Sequence, residues 1–212
     1  MITVWGRATS SNVQIVMWAL AELGLACKRI DAGGSFGGTD TPAYIRMNPN
    51  RLVPTVQDGD LTLWESAAIV RYLGARYGDE RFWPRDPVKR AAIDKWAEWS
   101  KTSFAPALLP GIFFHTVVLP QDKRDPKVLE TAVQRIGMLA PMLDARLAES
   151  PYLGGEQLAF GDVIVGTLLY RYFTLPFDRV ETPNLRAYYD RLADRPAYRE
   201  HAMVSYESLR AK

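Results

Sequence analysis

The chain has 212 residues, 48% hydrophobic and 24% charged with six Trp, a composition that excludes a disordered or fibrous protein. Lys and Arg number 26 against 24 Asp and Glu. The resulting formal charge of +2 is too weak a field to draw in nucleic acid or anionic lipid, so a small-molecule ligand is expected. Cys27 is the one cysteine, which excludes an internal disulfide, and with His115 and His201 as the only imidazoles no cysteine or histidine metal cluster can be assembled, so no metal is expected. The opening MITVWGRATSSN has neither the charged start nor the apolar core of a secretion signal, and polar residues interrupt every apolar run before membrane-spanning length; a soluble, cytoplasmic chain follows.

Ile2 to Trp5 is a short β-branched and aromatic run, and after Asn12 the apolar residues switch to helical period with Val13, Val16, Met17 and Leu20 aligned. Gly24 stands where a helix C-terminal glycine belongs, and Ala26 to Ile30 predicts a second strand, completing a βαβ unit. The glycine-rich segment Asp31 to Asp40 predicts a loop, with a short helix from Pro42 to just before Pro49. Thr55 to Gln57 and Leu61 to Trp64 are joined by Asp58-Gly59-Asp60 as a hairpin, and Glu65 to Tyr77 returns to helix with Ile69, Tyr72, Leu73 and Arg76 on one face.

Beyond Gly78 the composition changes to DERFWPRDP, which marks a linker at 79–87. No convincing strand follows. Val88, Ala92, Trp96 and Trp99 form one helical stripe, and Leu129, Ala132, Val133, Ile136, Ala140, Leu143 and Leu147 form another, predicting two long helices packed together. Shorter helices are expected at Phe160 to Tyr172, Pro183 to Ala193 and Pro196 to Tyr206. The fold class is therefore two-domain: an α/β domain over 1–78 and an all-helical domain over 88–212.

Three motifs in the first domain carry candidate chemistry. Thr9-Ser10-Ser11-Asn12 lies between the first strand and first helix, where unpaired backbone N–H groups favour an anion, although a serine there also serves simply as an N-cap. Asn48-Pro49-Asn50-Arg51-Leu52-Val53-Pro54-Thr55 places a proline at a strand entrance, and nothing local makes the Val53-Pro54 bond cis. Glu65-Ser66 sits at a strand-to-helix junction, fit to cap the helix or to hold a charged ligand.

In this order and spacing the three motifs resemble the glutathione transferase family, and the tryptophan-rich Asp94-Lys95-Trp96-Ala97-Glu98-Trp99 extends the resemblance across essentially the whole chain. Among its classes the chain is similar to the serine-type, bacterial theta-, beta- and nu-like members. The resemblance implies a thioredoxin-like first domain with a mixed four-stranded sheet that binds glutathione as co-substrate, and a helical domain that contributes the electrophile site. Ser10 matches the hydroxyl of the serine-type classes, with Thr9 and Ser11 as neighbouring candidates. Asn12 completes a Ser-x-Asn pattern similar to the Thr-x-Asn of some bacterial members. Val53 matches the residue that pairs its backbone with the cysteinyl unit before a cis-proline, here Pro54. Glu65 and Ser66 match the pair holding the γ-glutamyl end, and Arg51 falls where some classes contact the glycyl carboxylate. The family usually has Ser or Thr three residues before the Asp that starts a buried helix; here Asp162 is preceded by Ala159, which predicts slightly lower stability.

On this resemblance the expected activity is attack of the glutathione thiolate on an apolar electrophile, in a cytoplasmic homodimer with a detoxifying role. Glutathione-dependent reduction of peroxide or disulfide, and non-catalytic glutathione binding, stand as the alternatives. Cys27, on a predicted strand without a partner thiol, reads as a small core residue. Phe104 to Phe114 could wall the apolar site.

Overall fold

The structure, a computed structural model, describes residues 1–211. Strand β1 (Ile2–Trp5) leads through helix α1 (Ser11–Glu22) into β2 (Cys27–Ile30), which pairs parallel with it from Ile2–Cys27 to Trp5–Ile30. Gly24 ends α1 with φ 65°, the left-handed conformation in which a side chain is penalised. After the short helix α2 (Pro42–Met47), β3 (Thr55–Asp58) and β4 (Leu61–Trp64) form an antiparallel hairpin, and β3 adds antiparallel to β1. The sheet is mixed and four-stranded, in order β2-β1-β3-β4, and α3 (Ser66–Tyr77) completes the unit.

The helical unit comprises α4 (Pro87–Trp99), α5 (Pro126–Leu147), α6 (Phe160–Gly166), α7 (Leu169–Thr174), α8 (Pro183–Ala193) and α9 (Pro196–His201). Asp86 and Asp125 cap α4 and α5, each accepting a backbone N–H at 2.9 Å just ahead of a proline at the first helical position. Past Trp99 the chain continues helically in wide i→i+5 turns over Ser100–Phe104 and Ala107–Val118. Pro106 and Pro110 have no N–H to give a regular α ladder, which is why this stretch did not read as helix in the sequence.

Three expectations are corrected. On α4 the buried stripe is Ile93 and Ala97, continuing to Ser100 and Phe104; Val88 and Ala92 face solvent, and Trp96 and Trp99 pack at the edge of the core. Phe160 to Tyr172 is two helices, parted by a turn at Thr167 and Leu168, and the first ends on a close crossing at Gly166, where a Cβ would meet Leu192 at 2.5 Å and the Trp18 ring at 3.1 Å. The last helix stops at His201, short of Tyr206. On α3, Ile69 and Leu73 are buried as expected, whereas Arg76 is exposed.

A single hydrophobic core runs through both units. Trp18 of α1 is fully buried and meets Tyr198 of α9 edge-on at 4.7 Å between centroids. Its Nε1 donates to Glu22 at 2.8 Å, and Glu22 receives both Nε and Nη2 of Arg195 at 2.8 and 2.5 Å. A second crossing joins Arg71 of α3 to Asp94 and Glu98 of α4 at 2.8 and 2.5 Å.

At the start of α6 the fully buried Asp162 accepts N–H groups from Ala159 and Leu153 and the Tyr188 hydroxyl, each at 2.8 Å. Burial raises its pKa despite these donors. Ala159 has no oxygen to return a bond, so only the Asp162 half of the capping pair is made. Asp162→Ala leaves three buried donors without an acceptor, at about 1–3 kcal/mol each. Thermal denaturation is expected to show that variant as severely destabilised, and Ala159→Ser, which supplies the missing hydroxyl, as about 2–4 °C more stable.

Candidate active site

Every candidate side chain of the first domain lies on a loop or helix start at one end of the sheet, where the β1–α1 loop, the Asn48–Thr55 loop and the start of α3 meet. Gly6 makes the first approach possible. Its φ is 154°, and a Cβ there would meet Val13 at 2.4 Å and Val53 at 3.2 Å, so the two loops abut at a position open only to glycine.

Ser10 occupies the N-cap of α1 with extended backbone (φ −80°, ψ 121°), and its carbonyl accepts from Gln14 N–H at 2.9 Å. Its side chain makes no capping bond. The hydroxyl is half-buried beside the positive end of a 12-residue helix, which leaves it available to another partner. Ser11, by contrast, is buried at the first helical position. Gln14 steadies the loop through Nε2 to the Ala8 carbonyl at 2.9 Å.

The Val53-Pro54 peptide is cis, as the resemblance implied and local sequence did not show. Asn48 fixes the loop by donating to the Leu52 carbonyl at 2.9 Å and to Thr55 Oγ1 at 3.1 Å, and the Tyr44 hydroxyl donates to the same Leu52 carbonyl at 2.7 Å. Neither the N–H nor the C=O of Val53 is hydrogen-bonded among the described residues, so an extended ligand can pair with both. Arg51 (φ 57°) and Glu65 (φ 70°) are the two non-glycine residues with left-handed backbone among those described. Such positions cost about 1–3 kcal/mol and concentrate at functional sites, and both were candidates from sequence. Both side chains are exposed and make no hydrogen bond, and Glu65 does not cap α3.

Asn12 and Ser66 come together, 54 residues apart in sequence: the Ser66 hydroxyl donates to Asn12 Oδ1 at 3.2 Å. A third residue joins them that the sequence reading missed. Lys101, at the start of the wide-turned helix, gives its ammonium to Asn12 Oδ1 at 2.7 Å and to Ser66 Oγ at 3.2 Å. Because an ammonium can only donate, the contact also fixes which end of the Asn12 amide faces it. Burial pulls the Lys101 pKa down, against the attraction of Glu65 and Glu98. Among the described residues no carboxylate bonds it directly, so a cation stands beside the N-terminus of α3 against neutral oxygens.

Arg171 of α7 is the second residue not foreseen. It is 5% exposed and donates Nη2 to the Thr9 carbonyl at 2.7 Å, the carbonyl of the peptide that leads into Ser10. Both cations had a signal in the sequence: each is the lone permanent charge at the head of, or within, a long apolar run, 102–121 and 163–177. Cys27 is half-buried on β2, and burial raises its thiol pKa, which agrees with a packing role.

Comparison with known proteins gives a consistent result. Residues 1–75 match the family model described as glutathione S-transferase, N-terminal domain, and residues 109–196 match the C-terminal domain model. Glutathione S-transferase GstB of Escherichia coli strain K12 is 38% identical over 206 residues, covering 96% of this chain and 99% of that protein. Glutathione S-transferase 1 of Triticum aestivum is 27% identical, covering 92% of this chain and 91% of that one. Among solved structures, the theta class glutathione S-transferase from Xanthomonas axonopodis pv. citri with glutathione bound superimposes with a TM-score of 0.92 at 45% identity, covering 96% of this chain and 98% of that one.

The half-buried charge of Lys101 opposes folding of the ligand-free protein. Lys101→Met is expected to raise the melting temperature by about 2–4 °C, since an apolar side chain of similar reach removes a desolvation cost of about 1 kcal/mol or more. The sign with pH is also fixed. Between the lowered folded pKa and 10.5 the unfolded chain holds the proton that the folded one has shed, so stability gains a term that grows with pH across this window. Denaturant titrations at stepped alkaline pH should show that slope in the native chain and lose it in Lys101→Met.

Proposed function

The chain belongs to the glutathione S-transferase family and is an enzyme of that type, and on that premise we propose that it joins glutathione sulfur to an electrophilic carbon, with the Ser10 hydroxyl holding the thiolate. The observation that carries this is the N-cap serine that does not cap: Ser10 has the position of a helix cap and leaves its hydroxyl unspent. A free thiol with pKa about 8.5 is only a few per cent ionised at neutral pH. Two pKa units correspond to about 2.7 kcal/mol. A hydrogen bond to a charged group contributes about 1.5–3 kcal/mol, and the N-terminus of α1 adds about 0.3–1, so the two together suffice. Ser10 acts as a donor to the thiolate and is not itself the nucleophile. The sulfur lone pair forms the C–S bond, and the leaving group departs with its electron pair, or the electrons move into an acceptor double bond.

In the same proposal Val53 pairs its free N–H and C=O with the cysteinyl unit ahead of cis-Pro54. Ser66, Asn12 and Lys101 receive the γ-glutamyl carboxylate, Glu65 its amino group, and Arg51 the glycyl carboxylate. Lys101 then gains the counter-charge it lacks, which makes the glutathione site a joint product of residues 1–78 and 88–212 across the linker at 79–87. Among the described residues no helix is long and apolar enough to cross a membrane. Cytoplasmic residence and a homodimer, with the first domain of one subunit on the second of the other, complete the proposal. On the α3 face that carries Ala68, Arg71 and Ala75, Arg71 is held by Asp94 and Glu98 of its own chain, so that face offers a partner the two alanines and not a free cation.

Steady-state conjugation of glutathione to an aryl halide tests the assignment. Ser10→Ala should lower kcat by about 10- to 100-fold while the half-saturating glutathione concentration changes little, because the hydroxyl acts on the thiolate and several other groups hold the tripeptide. Full activity in Ser10→Ala with loss in Thr9→Val would move the role to Thr9, and peroxide-driven formation of glutathione disulfide without conjugation would replace the reaction. Sedimentation at micromolar concentration should give twice the 23.9 kDa chain mass. Full activity in a species of single-chain mass would remove the dimer from the proposal.

A further inference from the structure

Arg171 is placed where a charge is expensive and has nothing within the protein to neutralise it. Its guanidinium lies 4.3 Å from the centroid of the Phe113 ring on one side and bonds the Thr9 carbonyl with Nη2. No ion pair involves it among the described residues, and the charged side chain whose field reaches it is another cation, Arg7. Arg7 lies in the loop that carries Ser10, with its side chain over Gly33 and Gly34, and it too has no carboxylate partner among the described residues. None of the Arg171 nitrogens is among the sealed polar atoms without a partner, so its remaining N–H groups, unpartnered among the described residues, keep a small opening to solvent. Burial pulls its pKa down to about 10, which leaves it protonated at neutral pH.

The surroundings specify what that space accepts. Phe113 meets Tyr206 edge-on at 5.4 Å, and Tyr206 meets Tyr170 at 6.0 Å, so the guanidinium stands at the end of a largely buried aromatic row of the helical unit. Through the Thr9 carbonyl, Arg171 is joined to the peptide that leads into Ser10. An Arg171 guanidinium without a counter-charge, in the field of a second cation, favours an anion, and a guanidinium fork matches a carboxylate.

We propose that Arg171, assisted by Arg7, binds an anionic group on the co-substrate, so that the preferred electrophiles are aryl or unsaturated carboxylates whose reactive carbon is presented to the glutathione sulfur. This deepens the conjugation reading and rests on it. For an aryl chloride the step balances as before: the thiolate pair forms C–S, chloride leaves with the C–Cl pair, and the carboxylate stays on Arg171 unchanged.

The test uses a matched pair of electrophiles, para-chloro-dinitrobenzoate and its uncharged primary amide, with each enzymatic kcat/KM divided by its uncatalysed rate. The native enzyme should favour the acid by roughly 10- to 100-fold, the value of one or two charge-assisted hydrogen bonds. In Arg171→Gln that ratio should fall by about tenfold or more, in Arg171→Lys by less, and in Arg7→Gln by an intermediate amount. A native ratio near one overturns the inference whether or not any variant folds. Equal losses on acid and amide in Arg171→Gln, with the pH profile of thiolate formation displaced, would overturn it in favour of a role on the sulfur. Turnover of neither electrophile by the native enzyme would strike at the conjugation reading itself, a result distinct from turnover of both without preference.

Discussion

The burial of α1 between the sheet and the helical bundle is the constraint on which the rest of the molecule depends. Trp18 has no solvent-facing side: it meets Tyr198 of α9 and the Gly166 crossing, and its indole N–H is spent on Glu22, which in turn takes both ends of Arg195. A carboxylate that accepts three donors at 9% side-chain exposure is a rigid junction and not a surface ion pair. Because α1 begins at Ser10, fixing its far end in the core fixes the position of the reactive loop at its near end. The contacts that Lys101 and Arg171 make with that loop and helix are possible only because the two units share one interior.

Most of the architecture was legible because local chemistry and global fold agree. The strand at Ile2–Trp5, the hairpin around Gly59 and the proline-started helices at Pro42, Pro87, Pro126 and Pro183 each carry a turn or cap signal that tertiary packing did not overrule. Failures came where packing decides and periodicity does not. The stripe containing Val88 and Ala92 counted apolar residues, but the partner of α4 is α6, and it covers Ile93 and Ala97. The wide-turned helix after Trp99 hid behind two prolines. In the site, the residues that lie close in sequence to a recognisable loop were found, and the two cations from the helical unit were not. Contacts such as Arg171 to Thr9, 162 residues apart, leave no local pattern beyond an isolated charge in an apolar run.

Stability and chemistry pull against each other at this site. The two left-handed residues Arg51 and Glu65, the half-buried ammonium of Lys101 and the buried guanidinium of Arg171 each raise the free energy of the ligand-free fold. A continuous core and paired polar groups such as Asp162 offset these terms elsewhere. The penalties gather where the β1–α1 loop, the Asn48–Thr55 loop and the start of α3 meet, and on the proposed reading an anionic ligand would supply the counter-charges that Lys101 and Arg171 lack.

The reach of Lys101 from the helical unit to Asn12 and Ser66 limits how this protein can change over evolutionary time. A sheet domain with a self-sufficient thiol site could be recombined with any helical partner, and new specificities would arise by exchanging whole domains. Here the sheet domain supplies the two neutral oxygens and the helical domain supplies the cation that sits on them. The halves must therefore be inherited together. Diversification has freer range at half-buried positions of the helical unit away from the shared cluster, such as Tyr170, than at buried ones such as Phe113 and Tyr206.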